Sequence, residues 1–186
     1  EKIFISAGQL LTDSFLLAER VHASGFRPDL IVGVWRGGAP VAIAVQEYFE
    51  VRGCNAGHVP VKTWAYRGID ERRGDVEVSG LALVVDSVDA SSRVLIVDDV
   101  FDSGASLEAL LGKLRYQLVE RCPREIRIAC PWFKPARNQS TLRPDYFLHE
   151  TDAWLVFPHE LAGLTRDEIA AGKSDLHPII DRLRLG

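Results

Sequence analysis

One apolar run that stops on two carboxylates constrains this chain more than any other stretch. Val94-Leu95-Ile96-Val97 leads straight into Asp98-Asp99, and Val100-Phe101-Asp102-Ser103-Gly104-Ala105-Ser106 follows. A short, unbroken apolar run reads as a strand covered on both faces, the pattern of a parallel sheet. Leu107, Leu110, Leu111, Leu114 and Leu118 then recur at helical spacing. Strand, acidic turn and amphipathic helix therefore follow one another. In open parallel sheets ligands bind beyond the C-terminal ends of the strands. The two halves of the turn suit different chemistry. Ser103, Gly104 and Ser106 sit where a helix N-terminus offers unpaired N–H groups, a ready place for a phosphate. Asp98, Asp99 and Asp102, when ionised, only accept hydrogen bonds, so they suit hydroxyls or a metal. A sugar phosphate presents both ends.

The rest of the chain fits an alternating α/β fold. Leu11, Phe15, Ala18 and Val21 predict a helix from Ser6 to Ser24, stopped by Gly25 and Pro28. Asp29 to Trp35 predicts a buried strand, and Arg36-Gly37-Gly38-Ala39-Pro40 a tight turn, with Pro40 starting a helix through about Phe49. His58 to Tyr66 reads as a strand, and Arg67 to Asp75, "RGIDERRGD", as a solvated loop. Leu81 to Val88 is ambiguous between helix and strand. Arg93 to Asp98 reads as a second buried strand, Glu125 to Phe133 as a third strand, Asp145 to His149 as a fourth, and the segment from Trp154 onward carries two short helical patterns. Strands alternating with helices imply a mostly parallel sheet with right-handed crossovers. No linker separates domains, so a single domain over residues 1–186 is expected.

Composition excludes several classes. A net charge of −4 argues against a nucleic-acid binder. No apolar run approaches the roughly 18 residues that span a bilayer, so no membrane partner is expected. Three cysteines without C-x-x-C spacing read as reduced, packed thiols of a cytoplasmic protein. The sequence shows no signal-peptide pattern and contains no methionine, which places its start upstream. The five histidines show no metal-ligand spacing, and neither G-x-x-x-x-G-K-[ST] nor G-x-G-x-x-G is present.

"VLIVDDVFDSGAS" resembles the phosphoribosyl-pyrophosphate signature of the type I phosphoribosyltransferases, D-D-x-x-D-[ST]-G-x-[ST] after a hydrophobic strand. Three further segments resemble the 6-oxopurine branch, the xanthine-guanine and hypoxanthine transferases. "RGGAP" is similar to the R-G-G-x-x-P loop, with its proline one place early. "WFKPAR" is similar to the K-P segment that supplies a base-reading lysine. "AWLVFPHE" is similar to the W-x-x-x-P segment whose aromatic stacks on the purine. The blocks run in family order across about residues 30 to 160, and the last 25 residues are unmatched.

The resemblance implies the type I phosphoribosyltransferase fold. Its core would span about residues 25–150, with a flexible lid at about 66–76 and a small hood built from the N-terminal segment and 150–186. It implies transfer of a phosphoribosyl group to N9 of hypoxanthine, guanine or xanthine in purine salvage. Asp98 and Asp99 would hold the ribose hydroxyls, and Ser103, Gly104, Ala105 and Ser106 would cradle the 5′-phosphate. Arg36 and Gly37 would contact pyrophosphate, with Asp102 near purine N7 as general base. Lys134 would donate to O6, and Trp154 and Leu155 would line the base. Mg²⁺ would bridge ribose and pyrophosphate, with Asp99 and Glu160 as its protein ligands. Arg67, Arg72 and Arg73 would close over pyrophosphate from the lid, with Tyr66 at its base. Phosphoribosyl pyrophosphate and a purine base would be the partners, and a homodimer or homotetramer the assembly. Two alternatives stand beside it: a non-catalytic regulatory protein of the same fold that binds the donor, and a phosphoacceptor receiver domain. The receiver would carry its acceptor aspartate on a different strand from the acidic pair and needs no Ser-Gly-x-Ser turn.

Overall fold

A computed structural model describes residues 2–65 and 76–183. The chain divides into two compact units, one of residues 13–152 and one of residues 1–12 with 153–186.

The larger unit is built on a five-stranded sheet. Its strands are β2 (Leu30–Trp35), β3 (Gly57–Ala65), β4 (Val76–Ser79), β5 (Arg93–Val97) and β7 (Glu125–Ala129), in the order β4-β3-β2-β5-β7. All neighbours are parallel except β4, which returns antiparallel along β3. The central runs are apolar because both faces are covered. Val32, Val34, Val94 and Ile96 meet Leu81 and Val84 of α3 (Leu81–Ser87) and the leucine stripe of α4 (Ala105–Leu118). On the other face α2 (Gly38–Val51) packs on β2 and β5. His22 of α1 (Ala7–Ala23) meets the ring of Phe49 on α2. Each leucine predicted for the α4 stripe is buried.

A second, three-stranded parallel sheet stands beyond the strand ends. It consists of β6 (Val100–Phe101), β8 (Trp132–Phe133) and β9 (His149–Glu150) in the order β6-β8-β9. The expected third strand is therefore two, broken at Pro131. The carbonyl of Pro131 accepts from Leu148 and His149 N–H as the chain changes sheets. The expected fourth strand, Asp145 to His149, is corrected: only a single bridge, Ala129 with Tyr146, lies there before β9. The reason is a side chain. Asp145 Oδ2 accepts the Ile128 N–H and Oδ1 pairs with Arg127, so a carboxylate occupies the place of a strand backbone. The ambiguous 81–88 segment is helical, and α2 begins at Gly38, two residues before Pro40.

The smaller unit pairs β1 (Lys2–Phe4) parallel with β10 (Trp154–Val156). The short helices α5 (Arg166–Gly172) and α6 (His177–Ile180) match the two predicted patterns. Val156, Leu164, Ile169 and Ile180 form its core. Thr165 and Glu168 make a reciprocal capping box at the start of α5. No helix of the described residues is long and apolar enough to cross a membrane.

Candidate active site at the strand ends

The acidic turn leaves β5 at Val97, next to the end of β2. Gly33 pairs with Val97, so Arg36-Gly37 after β2 and Asp98-Asp99 after β5 emerge side by side. Their backbones approach closely. A Cβ on Gly37 would overlap the carboxylate of Asp99, and one on Gly38 would stand 2.5 Å from the Val97 carbonyl and 3.1 Å from Asp98 Oδ1. Only glycines permit this packing. Gly37 itself has an ordinary helical φ of −63°, so the requirement there is space and not conformation. The Trp35–Arg36 peptide is cis, and Arg36 is exposed.

Asp98 Oδ1 accepts the Asp99 N–H at 2.9 Å. Burial of its carboxyl, and then the neighbouring Asp99 charge, push Asp98 well above the usual carboxylate range. Burial also pushes the Cys130 thiol up, with the Asp98 charge a smaller cause.

The hydroxyl half of the turn begins α4. Gly104 caps the helix with φ of 81°, a left-handed conformation suited to glycine. A Cβ there would also collide with the hydroxyl of Ser140. The segment carrying Ser140 covers the turn, and Gln139 N–H donates to the Ser103 carbonyl at 3.0 Å. Asp98, Asp102, Ser103, Gly104, Ser106 and Leu107 line a recess of about 80 Å³, wide enough for a compact polar group. The first-turn N–H groups of α4 supply its positive end, the Ala105 N–H meeting Ser103 Oγ at 3.4 Å.

Register brings the base-reading candidates together. β6 and β8 pair Val100 with Trp132 and Phe101 with Phe133, so the next residues, Asp102 and Lys134, continue side by side. Lys134 N–H donates to the Phe101 carbonyl at 2.9 Å, extending the ladder. Phe101 and Phe133 meet edge to face beneath. Lys134, only 6% exposed, directs Nζ to Asp102 Oδ2 at 3.1 Å. Arg137 Nε donates to Asp102 Oδ1 at 2.7 Å, so each carboxylate oxygen carries a cation.

Arg36, Gly37, Asp98, Asp99, Asp102, Lys134 and the Ser103–Ser106 turn all gather at the strand ends of the larger unit. Trp154, Leu155 and Glu160 belong to the smaller unit. Trp154 is 65% exposed on β10, while Leu155 is buried. Glu160 Oε2 accepts the Phe157 N–H at 3.0 Å, and Lys173 Nζ holds the Phe157 carbonyl at 2.6 Å. Desolvation draws the ammonium of Lys173 below the usual lysine range. The expected lid, with Tyr66, Arg67, Arg72 and Arg73, lies outside the described residues. Sequence reasoning missed Arg137, although it ends the quoted "WFKPAR", and missed the role of the Gln139–Ser140 cover. Nothing local signals either, because their partners lie some 35 residues away.

Asp98 and Asp99 fit a magnesium ion in one respect, offering hard carboxylate oxygens beside the recess. Among the described residues no group of three or more acidic, histidine or cysteine side chains could hold a metal alone.

The model of the phosphoribosyl transferase domain matches residues 8–162. No curated protein matches the sequence. Among solved structures, the purine phosphoribosyltransferase of Pyrococcus horikoshii is 27% identical, with 88% of this chain and 97% of that one covered and a TM-score of 0.66. A hypothetical protein from Neisseria gonorrhoeae with bound ppGpp is 20% identical, with 94% and 97% covered and a TM-score of 0.73. The xanthine-guanine-hypoxanthine phosphoribosyltransferase of Helicobacter pylori is 22% identical, with 84% and 92% covered and a TM-score of 0.65.

Proposed function

The chain belongs to the phosphoribosyl transferase domain family and has the fold of purine phosphoribosyltransferases, and from that premise we propose that it moves the phosphoribosyl group of phosphoribosyl pyrophosphate onto N9 of a 6-oxopurine. The carrying observation is the buried Lys134 ammonium, held by Asp102 beside the recess of the Ser103–Ser106 turn. An ammonium has three donors and no acceptor, so it satisfies a carbonyl at purine C6 and rejects an amino group there.

The roles follow from position. Ser103, Gly104, Ala105 and Ser106 bind the 5′-phosphate through backbone N–H groups and hydroxyls. Asp98 and Asp99 accept from the ribose hydroxyls, while Arg36 and the Gly37 backbone hold pyrophosphate. Lys134 orients the base by O6. As N9 bonds to C1, the proton on N7 passes to Asp102, and pyrophosphate departs with the electrons of the C1–O bond. Asp99 and Glu160 are the residues that would hold Mg²⁺, which when bound would supply neutralisation of the leaving charge. The protein otherwise contributes alignment and preorganised charge. The N-terminal segment with 150–186 serves as the hood. The reaction is one of purine salvage in the cytoplasm, by a dimer or tetramer.

A second reading, a regulatory protein that binds the donor without turnover, is favoured by one observation: the Neisseria neighbour was solved with ppGpp bound. One experiment separates the two. Purified protein is given phosphoribosyl pyrophosphate, Mg²⁺ and each purine base in turn, and pyrophosphate release is followed. Release with 6-oxopurines and none with adenine supports the transferase. A donor-dependent rise in melting temperature without release from any base supports the regulator.

A further inference from the structure

Lys134 stands where a hydrogen-bond ladder runs out. β8 lies between β6 and β9, and its backbone groups alternate between the two neighbours, as in any parallel strand. The Lys134 N–H faces β6 and donates to the Phe101 carbonyl. The Pro131 and Phe133 carbonyls face β9. The first accepts from His149 N–H at 3.0 Å and the second from Thr151 N–H at 3.0 Å. The next backbone donor on the β9 side would be the N–H of residue 135, and residue 135 is proline. Proline has no N–H, so that rung cannot form.

A side chain takes its place. Asp152 Oδ1 accepts the N–H of Ala136, the residue after Pro135, at 3.1 Å. The strand segment that begins as β9 therefore grips the chain on both sides of Lys134, through Thr151 N–H before it and the Asp152 carboxylate after it. Between these ties Arg137 N–H closes the 3₁₀ turn Pro135–Arg137 on the Lys134 carbonyl at 3.2 Å. All of these residues belong to the larger unit. β8 and β9 have two residues each, and both residues of β9 are exposed, so the carboxylate adds a bond where the ladder has few. Without it the backbone on the C-terminal side of Lys134 loses its tie to the β9 segment.

We infer that Asp152 is a positioning residue for Lys134: its carboxylate substitutes for the rung that Pro135 removes, and so holds Lys134 in the register in which its ammonium meets Asp102. The effect on turnover rests on the 6-oxopurine reading, whereas the tie itself rests on the strand geometry. Asp152 is exposed, so water competes for the bond, and its loss should cost about three- to tenfold in kcat/KM for the base.

Three substitutions test this. Asp152→Ala removes the acceptor, Asp152→Asn keeps an acceptor oxygen at the same reach, and Pro135→Ala returns an N–H to the β9 side. Asp152→Ala should lower kcat/KM for hypoxanthine or guanine about three- to tenfold, mainly by raising the KM of the base, and Asp152→Asn should recover most of it. The rise in melting temperature caused by phosphoribosyl pyrophosphate should stay as in the wild type, because the Ser103–Ser106 turn is untouched. With Pro135→Ala already present, Asp152→Ala should cost about twofold or less. Amide exchange at Lys134 reads the tie without turnover: protection should fall in Asp152→Ala and persist in Asp152→Asn. Equal losses for donor and base would give Asp152 a merely structural part and overturn the inference, as would unchanged base kinetics or the same cost with and without Pro135. If the wild type turns over no base, the 6-oxopurine reading fails by itself. Amide exchange then decides the tie, which lost protection in Asp152→Ala sustains and unchanged protection overturns.

Discussion

Replacing Gly37 by alanine isolates the contact on which the acidic pair depends. The backbone there is right-handed helical, so alanine adopts it without strain. The new methyl, however, would occupy the space of the Asp99 carboxylate, overlapping Cγ and both oxygens. Asp99 is 8% exposed, and its N–H is tied to Asp98 Oδ1, so it cannot move alone. Overpacking of this kind costs about 1–3 kcal/mol. For a chain of this size each kcal/mol lowers the melting temperature by about 2–4 °C, giving a fall of roughly 2–12 °C. On the proposed reading the displaced carboxylate also loses its place beside the sugar. Charge-assisted hydrogen bonds contribute about 1.5–3 kcal/mol each, so donor affinity should weaken by roughly ten- to 150-fold. The assay is thermal melting with and without phosphoribosyl pyrophosphate and Mg²⁺, supported by direct titration. Gly112→Ala provides the control, since a Cβ there meets nothing within 4 Å on the exposed side of α4. That variant should gain about 0.5–1 kcal/mol and bind the donor normally. Wild-type donor affinity in Gly37→Ala would refute the placement of Asp99 against the donor.

Three further outcomes are expected. Asp98→Asn should stabilise the unliganded protein at about pH 8 and do little at about pH 4: a carboxyl whose folded pKa is raised favours folding below its unfolded pKa, and that stability is lost as pH rises through the folded value. A melting difference that does not grow with pH would count against a buried acid there. Lys173→Met should lower the melting temperature, because the Phe157 and Pro158 carbonyls lose their donor at a cost of about 1–3 kcal/mol; an unchanged melt would show that water replaces it. Lys134→Ala should depress the reaction with 6-oxopurines and narrow their advantage over adenine, measured as a ratio of kcat/KM; an unchanged ratio would remove Lys134 from the base.

How far the sequence could be read depended on how local the governing interactions are. β2, β5 and α4 announce themselves because burial on two faces, or along one stripe, is written in consecutive residues. The Asp98–Ser106 turn was legible for the same reason: its acids, hydroxyls and glycine are neighbours in the chain. The ambiguity at Leu81 to Val88 is also physical, since six apolar residues in eight mark no period. The helix there is selected by the α4 surface it packs on. Asp145 to His149 misled because apolar content suggested a strand where Asp145 instead ties down Arg127 and the Ile128 amide.

The base corner shows where local reading ends. Lys134 could be singled out from its neighbour Pro135, but its meeting with Asp102 depends on two strands of two residues each, too short to carry any periodicity. What sets them is the break at Pro131, which ends β7's sheet and lets β8 start afresh beside β6. Side chains alternate along a strand, so a slip of one residue in that register would turn Lys134 to the opposite face. The buried ammonium would then lose both its carboxylate and its place beside the recess. The chemistry of the corner is therefore carried as much by a proline that stops one sheet as by the charged residues that meet beyond it.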